Sequence, residues 1–206
     1  MSIKTTLVCA ALAACSFATQ AQDLVVNGSF EQVSANNSQG SGSWGTYSTI
    51  VGWTGTPNIE VRDSVAGNAK EGSNYVELDT GGNSGMFQTM TGTGWYELSF
   101  WYSARQGVAA GSNGLSFSFG SLSGDLLANV AGAPSGNVWQ RYSGLVYLNG
   151  ATTLTFSASG RSDSLGGSLD NVSVTTAVPE PESYAMMLAG LALMGTIARR
   201  RKSKSV

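Results

Sequence analysis

From Leu24 onward, apolar and polar residues tend to alternate with a period of two, and no stretch reads as an amphipathic helix. The clearest run is Trp95 to Arg105. There Tyr96, Leu98, Phe100, Tyr102 and Ala104 share one face, and Trp95, Glu97, Ser99, Trp101, Ser103 and Arg105 share the other. Shorter runs of the same kind are Leu24–Phe30, Asn58–Arg62 with Ile59 and Val61 on one face, Tyr75–Asp79, Leu115–Phe119, Thr153–Ala158 and Leu169–Val174. Gly- and Ser-rich stretches such as Gly40–Gly45 and Gly81–Gly85 separate them as loops. Strands with one dry and one wet face are satisfied when two antiparallel sheets pack dry side to dry side. The pattern therefore predicts an all-β, antiparallel β-sandwich.

The two ends break this pattern. Residues 1–21 read as an export signal: Lys4 is a positive start, Leu7–Ala14 is apolar, and Thr19-Gln20-Ala21 supplies small residues for cleavage between Ala21 and Gln22. Leu12-Ala13-Ala14-Cys15 also resembles a lipobox, in which Cys15 is acylated and becomes the new N-terminus. At the other end, Pro179-Glu180-Pro181-Glu182 cannot continue a strand or helix. An apolar run over 184–198 follows, then Arg199, Arg200, Arg201, Lys202 and Lys204. The run is shorter than the ~20 residues that span a bilayer. The basic cluster belongs on the cytoplasmic side and the preceding domain outside.

These three parts in this order resemble the PEP-CTERM sorting signal of Gram-negative bacteria. The resemblance assigns residues 177–206 to a sorting signal with a hydrophobic, transmembrane-like helix over 184–198. It implies recognition at Pro179–Glu182 by the membrane protease exosortase, transient residence in the inner membrane, and release to the cell envelope, outer surface or extracellular space. It also implies an organism that makes exopolysaccharide.

Charge and composition narrow the chemistry. The whole chain has a formal net charge of −2, but the mature segment carries eleven acids against five bases, so the basic tail hides an acidic domain. That balance argues against nucleic acid, which needs clustered Lys and Arg. The chain has no His and only two cysteines, Cys9 and Cys15. Ser-His-Asp and Cys-His catalysis and Cys/His zinc sites are thereby excluded. Cleavage after Ala21 leaves no thiol, so the domain must stand without disulfides. Glu77 and Asp79 share a strand face by simple alternation and read as polar outer surface. The Asp79-Thr80-Gly81 triplet mimics an aspartic-protease motif, but such sites need two aspartates sharing a proton. No catalytic residue is assigned.

A second resemblance covers nearly the whole domain, residues 22–176. LVVNGSFE at its start, Gly52-Trp53, EGSNYVELD over 71–79, GWYELSFWYSAR over 94–105, WQRYSGLVYL over 139–148 and GGSLDNVSV near its end look like the strands of galactose-binding-like jelly rolls. The resemblance extends to carbohydrate-binding modules and implies a jelly roll of eight to ten strands. It implies a structural calcium where the first and last strands meet, at Glu31 and Asp170, although Asp170 could equally cap a turn by side-chain bonding to the backbone. Trp53 and Trp139 match core tryptophans of that family.

Sugar rings stack on exposed aromatics beside a few fixed polar groups. The candidates are Trp101 and Arg105 on the wet face of the long strand, and Trp44 and Tyr47 in a Gly/Ser-rich loop. Cover by another loop or by the sandwich edge is the competing reading for Trp101. The expectation is an exported, non-enzymatic envelope or matrix protein that binds exopolysaccharide or another glycan. A secreted carbohydrate-active enzyme and a structural protein without a ligand are the alternatives.

Overall fold

The computed structural model describes residues 22–34, 40–177, 188, 190–192 and 194. The chain divides into two compact units, one of Gln22–Ala177 and one of residues 1–21 with 178–206. In the second unit the described positions are helical. Among the described residues no helix is long and apolar enough to cross a membrane. The export signal, Cys15, Ala21, Pro179–Glu182 and most of the 184–198 run lie outside the described residues.

Among the described residues, eight strands build the first unit: β1 (Trp44–Ile50), β2 (Trp53–Asp63), β3 (Asn74–Glu77), β4 (Gly85–Ser103), β5 (Leu115–Phe119), β6 (Leu122–Leu126), β7 (Gln140–Ala158) and β8 (Ser168–Thr176), with one 3-10 turn at Ala110–Ser112. All pairings are antiparallel. The strand order is β1-β2-β3-β8-β4-β7-β5-β6, and β2 pairs with β4 as well. That extra pairing closes a ring of β2, β3, β8 and β4. One hydrogen-bonded sheet thus curls over itself and its inner faces meet, giving an all-β antiparallel sandwich of the jelly-roll kind.

β4 and β7 are the spine. They are 19 residues each and pair continuously from Gly85↔Ser157 to Tyr102↔Gln140. The other edge of β4 serves β2 through Gly85–Phe87 and β8 through Tyr96–Ser103. Alternation gives each strand its inner face. Leu98 and Phe100 of β4, Ile59 and Val61 of β2, Val76 of β3, Phe117 and Phe119 of β5, Val146, Leu148, Leu154 and Phe156 of β7, and Val174 of β8 form one buried cluster. Trp53 lies at its centre, 5.8 Å from the Phe30 ring and 6.1 Å from Phe156, and its indole N–H donates to the Asn27 carbonyl at 3.2 Å. Burying such a side chain removes a large apolar area from water, which is what holds a sandwich of this size together.

Three expectations need correction. Leu24–Phe30 is not a strand. Asn27 and Phe30 adopt positive φ (57° and 59°), which breaks a ladder, and the segment bonds to β8 only at separate points, Leu24 N–H to Val174 O and Val172 N–H to Gly28 O, both 2.9 Å. Trp44 and Tyr47 are not in a loop; they open β1 and pair with Arg62 and Ile59 of β2. Their Gly/Ser-rich surroundings suit a turn in isolation, and the pairing with β2 overrides that preference. Finally, Glu77 and Asp79 are fully buried rather than outer surface, because the segment before β8 lies across that face.

Candidate functional site

The outer face of β1 and β2 carries an open cleft with a volume of about 500 Å³. Its walls come from register. Trp44 sits opposite Arg62 and Thr46 opposite Glu60, so alternation turns all four outward together. Arg105, just past β4, and Ser164 also line it. Trp44 is 57% exposed at the rim. Tyr47, one residue from Thr46, faces the other way and packs against the core.

Beneath the rim the floor is ionic. The Arg62 Nε–H lies 2.5 Å from Glu60 Oε1 and 3.2 Å from Glu77 Oε2, and Arg105 Nη1 lies 2.8 Å from Glu77 Oε1. Glu77 Oε1 also accepts the Gly166 N–H at 2.8 Å, and Arg105 Nη1 donates to the Ser164 carbonyl at 3.1 Å. Asp79 Oδ2 accepts the N–H groups of Asp163 and Leu165 at 2.9 and 3.2 Å. Two carboxylates therefore pin the 163–166 segment over β3, which is why they are dry. Burial pushes the Glu77 carboxyl up to about 7, against the opposing pull of Arg62, the Gly166 N–H and Arg105. Burial on its own lowers Arg62, but Glu77 and Glu60 outweigh it and the guanidinium is held above its usual range. Arg62 Nη1 is buried without a hydrogen-bond partner among the described residues.

Of the four sugar-binding candidates, the cleft unites Trp44 and Arg105. Trp101 lies elsewhere, half-buried on the outer face of β4, with the Lys70 ammonium 3.9 Å from its ring centroid. Its β8 neighbour in register is Asp170. Trp139 is half-buried, edge-on to Tyr75 at 6.0 Å, with its indole N–H on the Asn68 carbonyl at 3.0 Å. Glu60 and Arg62 were not singled out from the sequence. The signal was the Ile59-Glu60-Val61-Arg62 alternation itself, where opposite charges two apart occupy the polar face of a strand.

Glu31 and Asp170 do converge, on the turn 70–74. Glu31 Oε1 accepts the N–H groups of Ser73 and Asn74, both at 2.9 Å. Asp170 Oδ2 accepts those of Lys70 and Glu71 at 2.7 and 3.0 Å, and Oδ1 accepts its neighbour Asn171 at 2.6 Å. Burial raises the Asp170 carboxyl to about 7, and Glu31 adds to the rise. Gly72, at φ +63°, is required here: a Cβ would overlap the Glu31 carboxylate. Asn74 Oδ1 is a buried acceptor with no partner among the described residues. Among the described residues no group of three or more acidic, His or Cys side chains gathers.

Residues 177–202 match the family model of the PEP-CTERM protein-sorting motif. The chain carries this motif. It marks an exported protein sorted to the envelope. Among curated proteins none matches the chain. Solved structures share the fold. A Stig cyclase, Fisc from Fischerella sp. TAU, in complex with (3Z)-3-(1-methyl-2-pyrrolidinylidene)-3H-indole, is 16% identical with a TM-score of 0.54, and the match covers 76% of this chain and 98% of that one. TmCBM61 in complex with beta-1,4-galactotriose is 14% identical with a TM-score of 0.42, over 74% and 97% of the two chains. A family 35 carbohydrate binding module from Clostridium thermocellum is 15% identical with a TM-score of 0.42, over 66% and 99%. The likenesses thus include a cyclase as well as carbohydrate-binding modules.

Proposed function

We propose that the protein is an exported, non-catalytic glycan-binding protein of the envelope or matrix, and that exosortase processes it near Pro179–Glu182. The observation that supports binding is the cleft. Trp44 presents an exposed aromatic face over a fixed set of polar groups, Thr46, Glu60, Arg62 and Arg105, which is the arrangement that orients a sugar ring. The floor pairs Glu60 and Glu77 with Arg62 and Arg105, so it is close to neutral, while the mature domain is acidic overall. Neutral exopolysaccharide suits it better than a polyanion.

A hydrolytic role is disfavoured by burial. Glu60 and Glu77 both touch the Arg62 guanidinium, but Glu77 is fully buried and engaged by Arg105 and Gly166, out of reach of a glycosidic oxygen. The test is affinity electrophoresis on gels containing neutral or uronic-acid glucans and galactans, alongside a reducing-sugar assay. A shallow cleft implies Kd values of roughly micromolar to millimolar. Retardation by a neutral glycan, lost in Trp44→Ala, with no sugar released, is expected. Equal mobility of wild type and Trp44→Ala on every gel would refute the cleft, and released reducing ends would refute the non-catalytic reading.

We further propose that Glu31 and Asp170, with Asn74, whose backbone N–H bonds to Glu31, hold a structural calcium ion. The donors fit in kind: they are hard oxygens, one of them is a buried acceptor without a partner among the described residues, and Glu31 adds to the cost of ionising Asp170. Bound there, the ion would neutralise them and tie the chain's first segment to β8 and to the 70–74 turn.

A further inference from the structure

A second exposed surface lies away from the cleft, on the outer face of β4 and β7. Trp95 and Tyr147 are register partners with rings 5.6 Å apart and 71° between planes, and Leu145 sits opposite Glu97 one step along. Trp95 is 58%, Tyr147 55% and Leu145 59% exposed. The alternation that sends Val146 and Leu148 into the core forces Tyr147 and Leu145 outward, so the fold does not explain their apolar character. The adjoining charges are already matched, with Arg141 Nη2 2.9 Å from Glu97 Oε1. Edge-to-face rings do not share a plane, so they offer no flat platform for a polysaccharide chain.

The chain leaves the sandwich beside this patch. The Ala177 N–H donates to the Trp95 carbonyl at 2.9 Å, and Thr176 pairs with Tyr96. Six residues, 178–183, separate Ala177 from the apolar run that starts at Tyr184. Fully extended, the seven steps from Ala177 to Tyr184 reach at most about 25 Å. While the tail is held in a bilayer, the exit from β8 stays within that distance of the lipid. Trp and Tyr rings with one apolar body and one polar edge partition to the headgroup level of a membrane.

We infer that the Trp95–Leu145–Tyr147 face docks on the lipid surface and holds the domain against the membrane until the tail is cut. This rests on the reading of residues 184–198 as membrane-held. The contact is interfacial rather than ionic, because the domain is acidic and the patch carries no unmatched charge, so it persists at high salt.

The test uses the full chain with Cys9→Ser and Cys15→Ser, reconstituted in phosphatidylethanolamine/phosphatidylglycerol vesicles. An environment-sensitive fluorophore is placed on Tyr147→Cys or, as reference, on Val138→Cys, which is also exposed but roughly 30 Å away along the β7 direction. Vesicle flotation reports separately whether the tail is membrane-held. Expected are flotation of both proteins, a blue shift and quenching by brominated lipid at position 147, and neither at 138, unchanged in high salt. Flotation with a water-like signal at 147 would overturn the docking alone. Failure to float would overturn the membrane-held tail and the docking with it. A blue shift at 147 that appears in concentrated protein without lipid would assign the face to a second copy of the chain and overturn the lipid reading.

Discussion

Glu77 shows how much one buried carboxyl can decide. Its value in the unfolded chain is 4.5, and burial raises it to about 7 in the fold. An acid whose folded value is raised binds its proton more tightly when native, so its contribution is fully present below pH 4.5 and is lost as pH rises through about 7. The melting temperature is therefore expected to fall between those limits, with a change of about 3 kcal/mol at most from this group. Glu77→Gln should flatten that part of the profile while lowering stability throughout, since Arg62 and Arg105 lose a partner. A profile of the same slope in wild type and variant would refute the assignment. The calcium proposal has its own measurement. A ligand bound only by the native state stabilises it by about 3 kcal/mol at a hundredfold excess over Kd. Melting is expected to rise with calcium, fall with chelator, and lose both responses in Asp170→Ala. An unchanged curve in excess chelator would dispose of the site. At this scale, Glu31 and Asp170 could be named only through the resemblance of their segments, NGSFE and LDNV, to a known family. The sequence could not name Glu60 and Arg62, whose importance comes from which strand lies beside them.

Elements explain where the period-two pattern was sufficient and where it was not. β4 reads correctly because it is long, half-buried and paired on both edges, so its alternation is dictated along its length. Leu24–Phe30 also suggests a strand in sequence but has a different structure, because side chains replace a ladder. Val26 N–H donates to Gln88 Oε1 at 2.8 Å, and Gln88 Nε2 donates back to Val26 O at 3.0 Å, so one amide of β4 imitates a neighbouring strand. Nothing local in the sequence announces a bond between positions 26 and 88. Gly28 shows the tightness of the docking. A Cβ there would overlap the Val172 carbonyl oxygen, so Gly28→Ala must push the segment off β8. Loss of that packing and of the Val172 N–H bond is expected to cost about 2–4 kcal/mol, read as a drop in melting temperature. Gln88→Ala should cost less, about 1–3 kcal/mol, and should speed hydrogen exchange at Val26 without disturbing β7. Wild-type melting in Gly28→Ala would show the segment to be free of β8.

Across the whole molecule, legibility follows the reader each part has in the cell. A sorting motif is read as a linear string by other proteins, so it stays recognisable as a string, and Pro179–Glu182 with the apolar run and Arg199–Arg201 was visible at once. The cleft has no such constraint. Trp44, Arg62 and Arg105 come from β1, β2 and the end of β4, and only curling the sheet brings them to one place. The position of the motif also has structural sense. β8 is an interior strand, paired with β3 and β4, and the folded unit ends at Ala177, one residue before the Val-Pro-Glu-Pro stretch begins. Prolines cannot extend a ladder, so the pairing of β8 stops before that stretch. Processing should then leave the domain intact. Intact-mass measurement on protein from the native envelope is expected to show a species that begins near Gln22 and lacks Arg199–Arg201, with the same melting temperature as the full chain in detergent. An envelope species that retains those arginines would count against processing. A diacylglycerol adduct on Cys15 would replace the Ala21 cleavage with the lipoprotein route, and a lower melting temperature after tail removal would mean that the sorting segment also supports the fold.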